Sequence, residues 1–171
     1  MGKRSDFEKI DKDFYRTFDK RAVEPLIPFI KDCKYVEPCY GLGDLVNLLQ
    51  GSAECVNFSD ITLGTNALSI DENYCKGADL IITNPPWSRD KKSDYILHKL
   101  IDHFRQLRPT WLLFDADWMH TKQSHELMQY CSKIVSVGRL IWIEGTNTTG
   151  KDNCCWYKFE NYKCKTEFYG R

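Results

Sequence analysis

Asn84-Pro85-Pro86-Trp87 sets two oxygen acceptors and a flat apolar ring within four consecutive residues. The acceptors are the Asn84 side-chain carbonyl and the Pro85 main-chain carbonyl, and the ring is the Trp87 indole. An exocyclic amine on a heteroaromatic ring is a weak nucleophile because its lone pair is delocalised into the ring. Accepting both of its N–H hydrogens draws the nitrogen toward a tetrahedral geometry and returns the lone pair to it. Trp87 would stack on the ring and hold it against the acceptors. The chemistry these residues suit is attack by a ring amine on an electrophilic carbon. Against it stands a structural reading, a strand closed by a Pro-Pro turn with a core tryptophan, since Asn-Pro opens many turns.

The elements that must position this tetrapeptide are legible around it. Leu80-Ile81-Ile82-Thr83 is a short apolar run with the character of a buried strand, and the prolines stop it at Asn84. Upstream, Tyr35-Val36-Glu37-Pro38-Cys39-Tyr40-Gly41-Leu42-Gly43-Asp44-Leu45 reads as strand, glycine turn and helix start, the layout of a nucleoside-binding turn in a doubly wound α/β fold. Gly41 and Gly43 allow close approach of the backbone to a ligand. No third glycine stands at dinucleotide spacing and no Gly-Lys-Ser/Thr follows, which disfavours a dinucleotide or a nucleoside triphosphate. A second strand, Glu54 to Phe58, leads to Asp60, whose carboxylate at a strand end suits ribose hydroxyls.

In this order the motifs resemble the S-adenosylmethionine-dependent amino-methyltransferases, most closely the small phage and prophage DNA N6-adenine methyltransferases. Asp13-Phe14-Tyr15-Arg16-Thr17 is similar to the family's N-terminal segment, Glu37-Pro38-x-x-Gly41-x-Gly43 to its first glycine motif, and Asn84-Pro85-Pro86-Trp87 to its catalytic tetrapeptide. Gly138 to Ile143 and Cys155 to Phe159 resemble its last hairpin. The resemblance implies a single Rossmann-like methyltransferase domain over residues 13–171, with a mostly parallel seven-stranded sheet and an antiparallel C-terminal hairpin. It implies S-adenosylmethionine as cofactor, covered by Phe14, Tyr15 and Thr17 and held by Glu37, Pro38, Gly41, Gly43, Asp60 and Asn84. It also implies that Trp142 forms the second face of a base sandwich with Trp87.

The remaining sequence bounds the class. With 171 residues, 42% hydrophobic and 28% charged, the chain has the composition of one globular domain. No apolar run is long enough for a bilayer and no signal-peptide core follows Met1, so a cytoplasmic setting is expected, that of the host if the gene is phage-borne. The eight cysteines are scattered without Cys-x-x-Cys or paired Cys/His spacing, and they are expected to be reduced core residues that bind no metal. Residues 1–12 mix charges of both signs and are expected to form a loose arm. Val23, Leu26, Ile27 and Ile30 fall at helical spacing, shortened by Pro25 and Pro28. Leu45 to Leu49 and Tyr95 to Leu107 read as helices, and Thr110 to Phe114 as a buried strand followed by Asp117 as a helix N-cap. Lys133 to Ile143 reads as a long strand bent at Gly138, paired antiparallel with Cys155 to Phe159. Within 61–76, Asn66, Leu68 and Asp71 are candidates to face the cofactor's adenine.

Lysine plus arginine equals aspartate plus glutamate, 24 each, so nucleic-acid affinity must come from a local patch. Arg89 and Lys91 beside the tetrapeptide, and Arg139 near the hairpin, are the candidates for phosphate contact. The same tetrapeptide would serve an amino-methyltransferase acting on RNA or on a protein glutamine, and an inactive methyltransferase-like regulatory domain would keep it too. A flavodoxin-like or dehydrogenase-like nucleotide module is disfavoured by the missing phosphate fingerprint. The chain has no room for a separate target-recognition domain, so low sequence specificity is expected, or specificity lent by a protein partner. A map of modified DNA should then show methylation in many short contexts, and one long strict recognition sequence would contradict this.

Overall fold

The computed structural model describes residues 15–87 and 96–171. The arm at 1–12, Phe14, Arg89 and Lys91 lie outside the described residues. Seven strands form one sheet: β1 (Lys34–Glu37), β2 (Glu54–Phe58), β3 (Leu80–Thr83), β4 (Thr110–Asp115), β5 (Cys131–Gly138), β6 (Cys154–Phe159) and β7 (Glu167–Tyr169), in the order β2-β1-β3-β4-β6-β5-β7. The β1–β2, β1–β3, β3–β4 and β5–β7 pairings are parallel, and β6 runs antiparallel to both β4 and β5. The sheet is therefore the mixed, mostly parallel α/β sheet expected, with its antiparallel pair near the C-terminus.

Alternation along the strands builds two cores, one on each sheet face. Val36, Ile81, Leu112, Phe114, Tyr157 and Phe159 point to the face covered by α3 (Ile96–Leu107), through Leu97, Leu100, Ile101 and Phe104. Tyr35, Ile82, Trp111, Leu113 and Trp156 point to the other face. That face is covered by Ala22, Val23 and Leu26, by Ile30 of the one-turn α1 (Ile27–Ile30), and by Leu45 and Leu49 of α2 (Asp44–Leu49). Trp156 is fully buried and satisfies its indole N–H on the Ala22 carbonyl at 2.6 Å, which ties the N-terminal segment to the sheet centre.

Several boundaries differ from expectation. The long strand ends at Gly138, with φ +92° and a break in register against β6, and residues 139–143 leave the sheet. A Cβ at Gly138 would lie 2.5 Å from the Arg171 guanidinium, so glycine there admits the C-terminal side chain as well as the bend. The cap of the 3-10 helix Ala116–His120 is Asp115, whose carboxylate accepts the Asp117 N–H at 2.9 Å; Asp117, the expected cap, lies two residues further on, inside the helix. The seventh strand, β7, comes from the charged C-terminal stretch, where its three residues are all exposed and no apolar period marks it. A final helix, α4 (His125–Met128), is a single turn before β5.

All eight cysteines are free. Burial pushes the Cys131 thiol up to about 12 and those of Cys75 and Cys155 up to about 11. Since the thiolate is the reactive form, these three should react with a disulfide reagent at pH 8 far more slowly in the folded protein than after denaturation. Equal rates in the two states would contradict this packing.

Candidate active site

Sheet order places the site. The chain leaves β1 for β2 on one side and returns to β3 on the other, which opens a crevice at the carboxyl ends of β1 and β3. A cavity of about 510 Å³ lies there. Glu37 and Pro38 reach it from the end of β1, Tyr40, Gly41 and Leu42 from the glycine turn, Asp60, Ile61 and Thr62 from beyond β2, and Asn84 and Pro86 from beyond β3. Tyr15, Arg16 and Thr17 close it from the N-terminal side.

The turn after β1 is shaped by its own side chains. Gly41 and Gly43 both take positive φ, +55° and +83°. At Gly43 an added Cβ would fall 2.2 Å from the Tyr40 hydroxyl oxygen, so this glycine makes room for Tyr40, whose ring stacks on Phe58 at 4.3 Å. The Gly41 N–H donates to Asp60 Oδ2 at 2.9 Å, while Oδ1 accepts the Thr62 N–H and hydroxyl at 2.8 and 2.7 Å. These bonds occupy three of the roughly four acceptor positions of the carboxylate and leave one, on Oδ2, for a ligand.

Glu37 and Asp60 face the same cavity with their carboxyls shifted in opposite directions. Burial works to raise the Asp60 carboxyl, but the Thr62 and Gly41 N–H groups and the Thr62 hydroxyl outweigh it and hold it below its ordinary range. Glu37 is only 1% exposed, and its Oε2 has no hydrogen-bond partner among the described residues. Burial first, and then the charges of Asp60 and Asp44, push its carboxyl well above the usual range. An orphaned buried carboxyl on a cavity wall suits a ligand that brings a cation or a donor.

At the end of β3, Asn84 is gripped from behind. Its Nδ2 donates to the Tyr15 carbonyl at 3.2 Å and to the Thr17 hydroxyl at 3.0 Å. Both amide hydrogens are thereby used, and the side-chain oxygen is turned the other way. Trp87 is half-buried, and its ring meets Trp142 edge to face, with centroids 6.2 Å apart and planes at 85°. Trp142 in turn meets Tyr15 at 6.2 Å and 70°. The two indoles make a corner with faces nearly at right angles, and neither lines the cavity wall on which Asn84 sits. Arg139 is exposed one residue past β5.

Of the candidates for the cofactor's adenine, Asn66 lines the cavity, whereas Leu68 packs against the α3-side core and Asp71 accepts the Tyr74 N–H. Sequence reasoning passed over Ile61, 66% exposed on the cavity rim, and Arg16, which forks onto Asp44 at 2.7 and 2.8 Å. An apolar residue directly after a strand-end acid was the available signal for Ile61. Arg16 carried none, because its partners lie 28 and 128 residues away.

No protein-family profile and no curated protein matches the chain. Solved structures do. A dimethyladenosine transferase from Plasmodium falciparum superposes with a TM-score of 0.50 and 19% identity over 82% of this chain and 59% of that one. The M protein of the type I restriction enzyme EcoKI superposes with 0.51 and 11% identity, over 94% and 49%. A provisionally named RNA methyltransferase from Pyrococcus horikoshii gives 0.50 and 13%, over 94% and 93%. The chain thus spans about half to three fifths of the first two. What these proteins share with it is the fold, a Rossmann-like, mostly parallel α/β sheet.

The raised Glu37 carboxyl has a consequence for stability. The folded state favours the protonated acid, so its contribution is fully present below the unfolded value of 4.5 and is lost as pH rises toward the folded value. Glu37→Gln should therefore match the parent protein near pH 4 and gain in melting temperature relative to it as pH is raised to 8. A melting difference that does not change with pH would show that Glu37 ionises as readily in the folded protein as in the unfolded one.

Proposed function

We propose that this chain transfers a methyl group from S-adenosylmethionine to the exocyclic N6 amine of adenine in DNA. The observation that carries the reading is the anchored amide of Asn84: at a strand end beside a nucleoside-sized cavity, its oxygen is presented and its nitrogen is withheld. That arrangement suits an acceptor for an amine, followed in sequence by the Pro85 carbonyl and the Trp87 ring.

The cavity residues fit the cofactor. Glu37, orphaned and buried, would take the ammonium of its amino-acid part, and would give up its own proton as that cation arrives. Asp60 would accept one ribose hydroxyl on its remaining position, Ile61 and Asn66 would flank the adenine, and Tyr15 and Thr17 would wall the methionine side. The bound cofactor supplies a methyl group on a positively charged sulfur, which needs no further activation.

Asn84 Oδ1 and the Pro85 carbonyl would then accept the two N–H hydrogens of the target amine and raise the nucleophilicity of its nitrogen. Trp87 offers the apolar face on which the ring lies, and Pro86 holds the turn rigid between acceptor and ring. Most of the acceleration comes from orientation of the amine toward the methyl carbon. The surplus proton leaves the product nitrogen to water, so no strong general base is required.

A nucleobase is favoured over a protein amide by the flat apolar corner of Trp87 and Trp142, which suits a base drawn out of its stack, and DNA is the base-bearing substrate we propose. Backbone phosphates would be met by Arg139 and by exposed Lys163, Lys165 and Arg171, together with Arg89 and Lys91. The near-balance of total charge leaves room for a partner protein that lends affinity and specificity. Asn84→Ala should lower methyl transfer by about a thousandfold or more, on the scale of losing a preorganised transition-state contact, and change cofactor affinity only a few-fold. The check is incubation with labelled cofactor and separate DNA, RNA and protein pools, then digestion of the DNA to nucleosides and mass spectrometry. N6-methyladenine supports the assignment, and label in RNA or on glutamine moves it to another amine.

A further inference from the structure

Asparagine at an amine-gripping position has two unlike ends. With its oxygen toward the amine it accepts; turned by half a rotation about Cβ–Cγ it would set N–H against N–H and repel. Something must hold the amide one way round. At Asn84 both Nδ2 hydrogens run to one short stretch of the N-terminal segment, the Tyr15 carbonyl at 3.2 Å and Thr17 Oγ1 at 3.0 Å. A main-chain carbonyl cannot donate, so the Tyr15 contact is compatible with only one of the two orientations.

The stretch that does this is itself pinned. Arg16, between the two acceptors, forks onto Asp44 at 2.7 and 2.8 Å and reaches Glu144 at 2.5 Å, bridging the start of α2 and the connection between β5 and β6. Thr17 is only 6% exposed, so water is a poor substitute for its hydroxyl. Asn84 and Thr17 are 67 residues apart in sequence, and only the closed fold brings them together.

We infer that Thr17, together with the Tyr15 carbonyl, is a positioning residue that sets the orientation of the Asn84 amide and so points its oxygen toward the target amine. This rests on the reading of Asn84 as the amine acceptor. It gives residues 15–17 a role in the chemical step that is separate from walling the cofactor cavity. A residue that only walled the cavity would act on cofactor affinity; one that orients Asn84 acts on turnover.

The experiment compares Thr17→Val, which keeps the shape and removes the acceptor, with Thr17→Ser, which keeps the hydroxyl. Expected for Thr17→Val is a fall in kcat of about tenfold, as for loss of one neutral hydrogen bond, with the cofactor Kd changed by less than about threefold and the melting temperature little moved. Thr17→Ser should recover most of that kcat. A Kd that rises while kcat holds, or a Thr17→Ser as impaired as Thr17→Val, overturns the inference. A second readout needs no turnover. In ¹⁵N spectra the Asn84 side-chain amide protons should exchange slowly with solvent in the parent protein and in Thr17→Ser, and faster in Thr17→Val. Rapid exchange in the parent protein overturns the inference even if Thr17→Val does not fold. Absence of transfer by the parent protein to any substrate pool would instead defeat the proposed function and leave the amide measurement to stand or fall alone.

Discussion

The pair of hydrogen bonds from the Asn84 amide into residues 15–17 is the contact on which the arrangement of this site depends. It joins the end of a central strand to a segment that precedes the first helix, and it does so through a side chain whose two ends have opposite chemistry. The segment around it is held at several points: Arg16 by Asp44 and Glu144, the Tyr15 ring by Trp142, and the following turn by the N–H of Trp156, in β6, on the Ala22 carbonyl. A strand end alone would leave the amide free to rotate. The N-terminal segment fixes which way it faces.

The crevice exists because of the point at which the strand order reverses. β1 and β3 are neighbours, but their connections leave in opposite directions, so the loops that follow them separate and open a cavity between Glu37 and Asn84. Into that opening the fold brings two carboxyl groups with different surroundings. Asp60 is met by N–H donors that hold its carboxyl below the ordinary range, while Glu37, buried and with Oε2 unpartnered among the described residues, is driven toward its neutral form. Two carboxyl groups thus acquire opposite shifts from packing alone, one bonded into the glycine turn and one buried on the cavity wall.

The glycine turn shows how a local pattern can be right in position and different in cause. Gly41 and Gly43 occupy the turn after β1, as their spacing suggests, and both need the left-handed region. Yet the space that Gly43 leaves is filled by the Tyr40 hydroxyl, and the Gly41 N–H is already engaged by Asp60. The turn is therefore packed against its own residues first, and it faces the cavity through Tyr40 and Leu42, beside Ile61. Similarly, the indoles of Trp87 and Trp142 come together across the fold, but at right angles.

Sequence alone determined the elements whose signal is short-range: the apolar runs of β3 and β4, the period of α3, the proline stop after Thr83, and the strand-turn-helix order that places Glu37, Asp60 and Asn84 at one sheet edge. It also carried the α/β class and the antiparallel pairing of the last long strands. Only the tertiary structure decided which way the Asn84 amide faces, that Glu37 Oε2 is buried without a partner among the described residues, that Arg16 clamps the N-terminal segment, that the strand begun at Cys131 ends at Gly138, and that an exposed C-terminal stretch supplies β7. The physical reason is range. Propensity, proline geometry and hydrophobic period act over a few residues and leave a trace in composition, whereas the orientation of an amide or the desolvation of an acid is set by groups tens of residues away, whose approach no local pattern records.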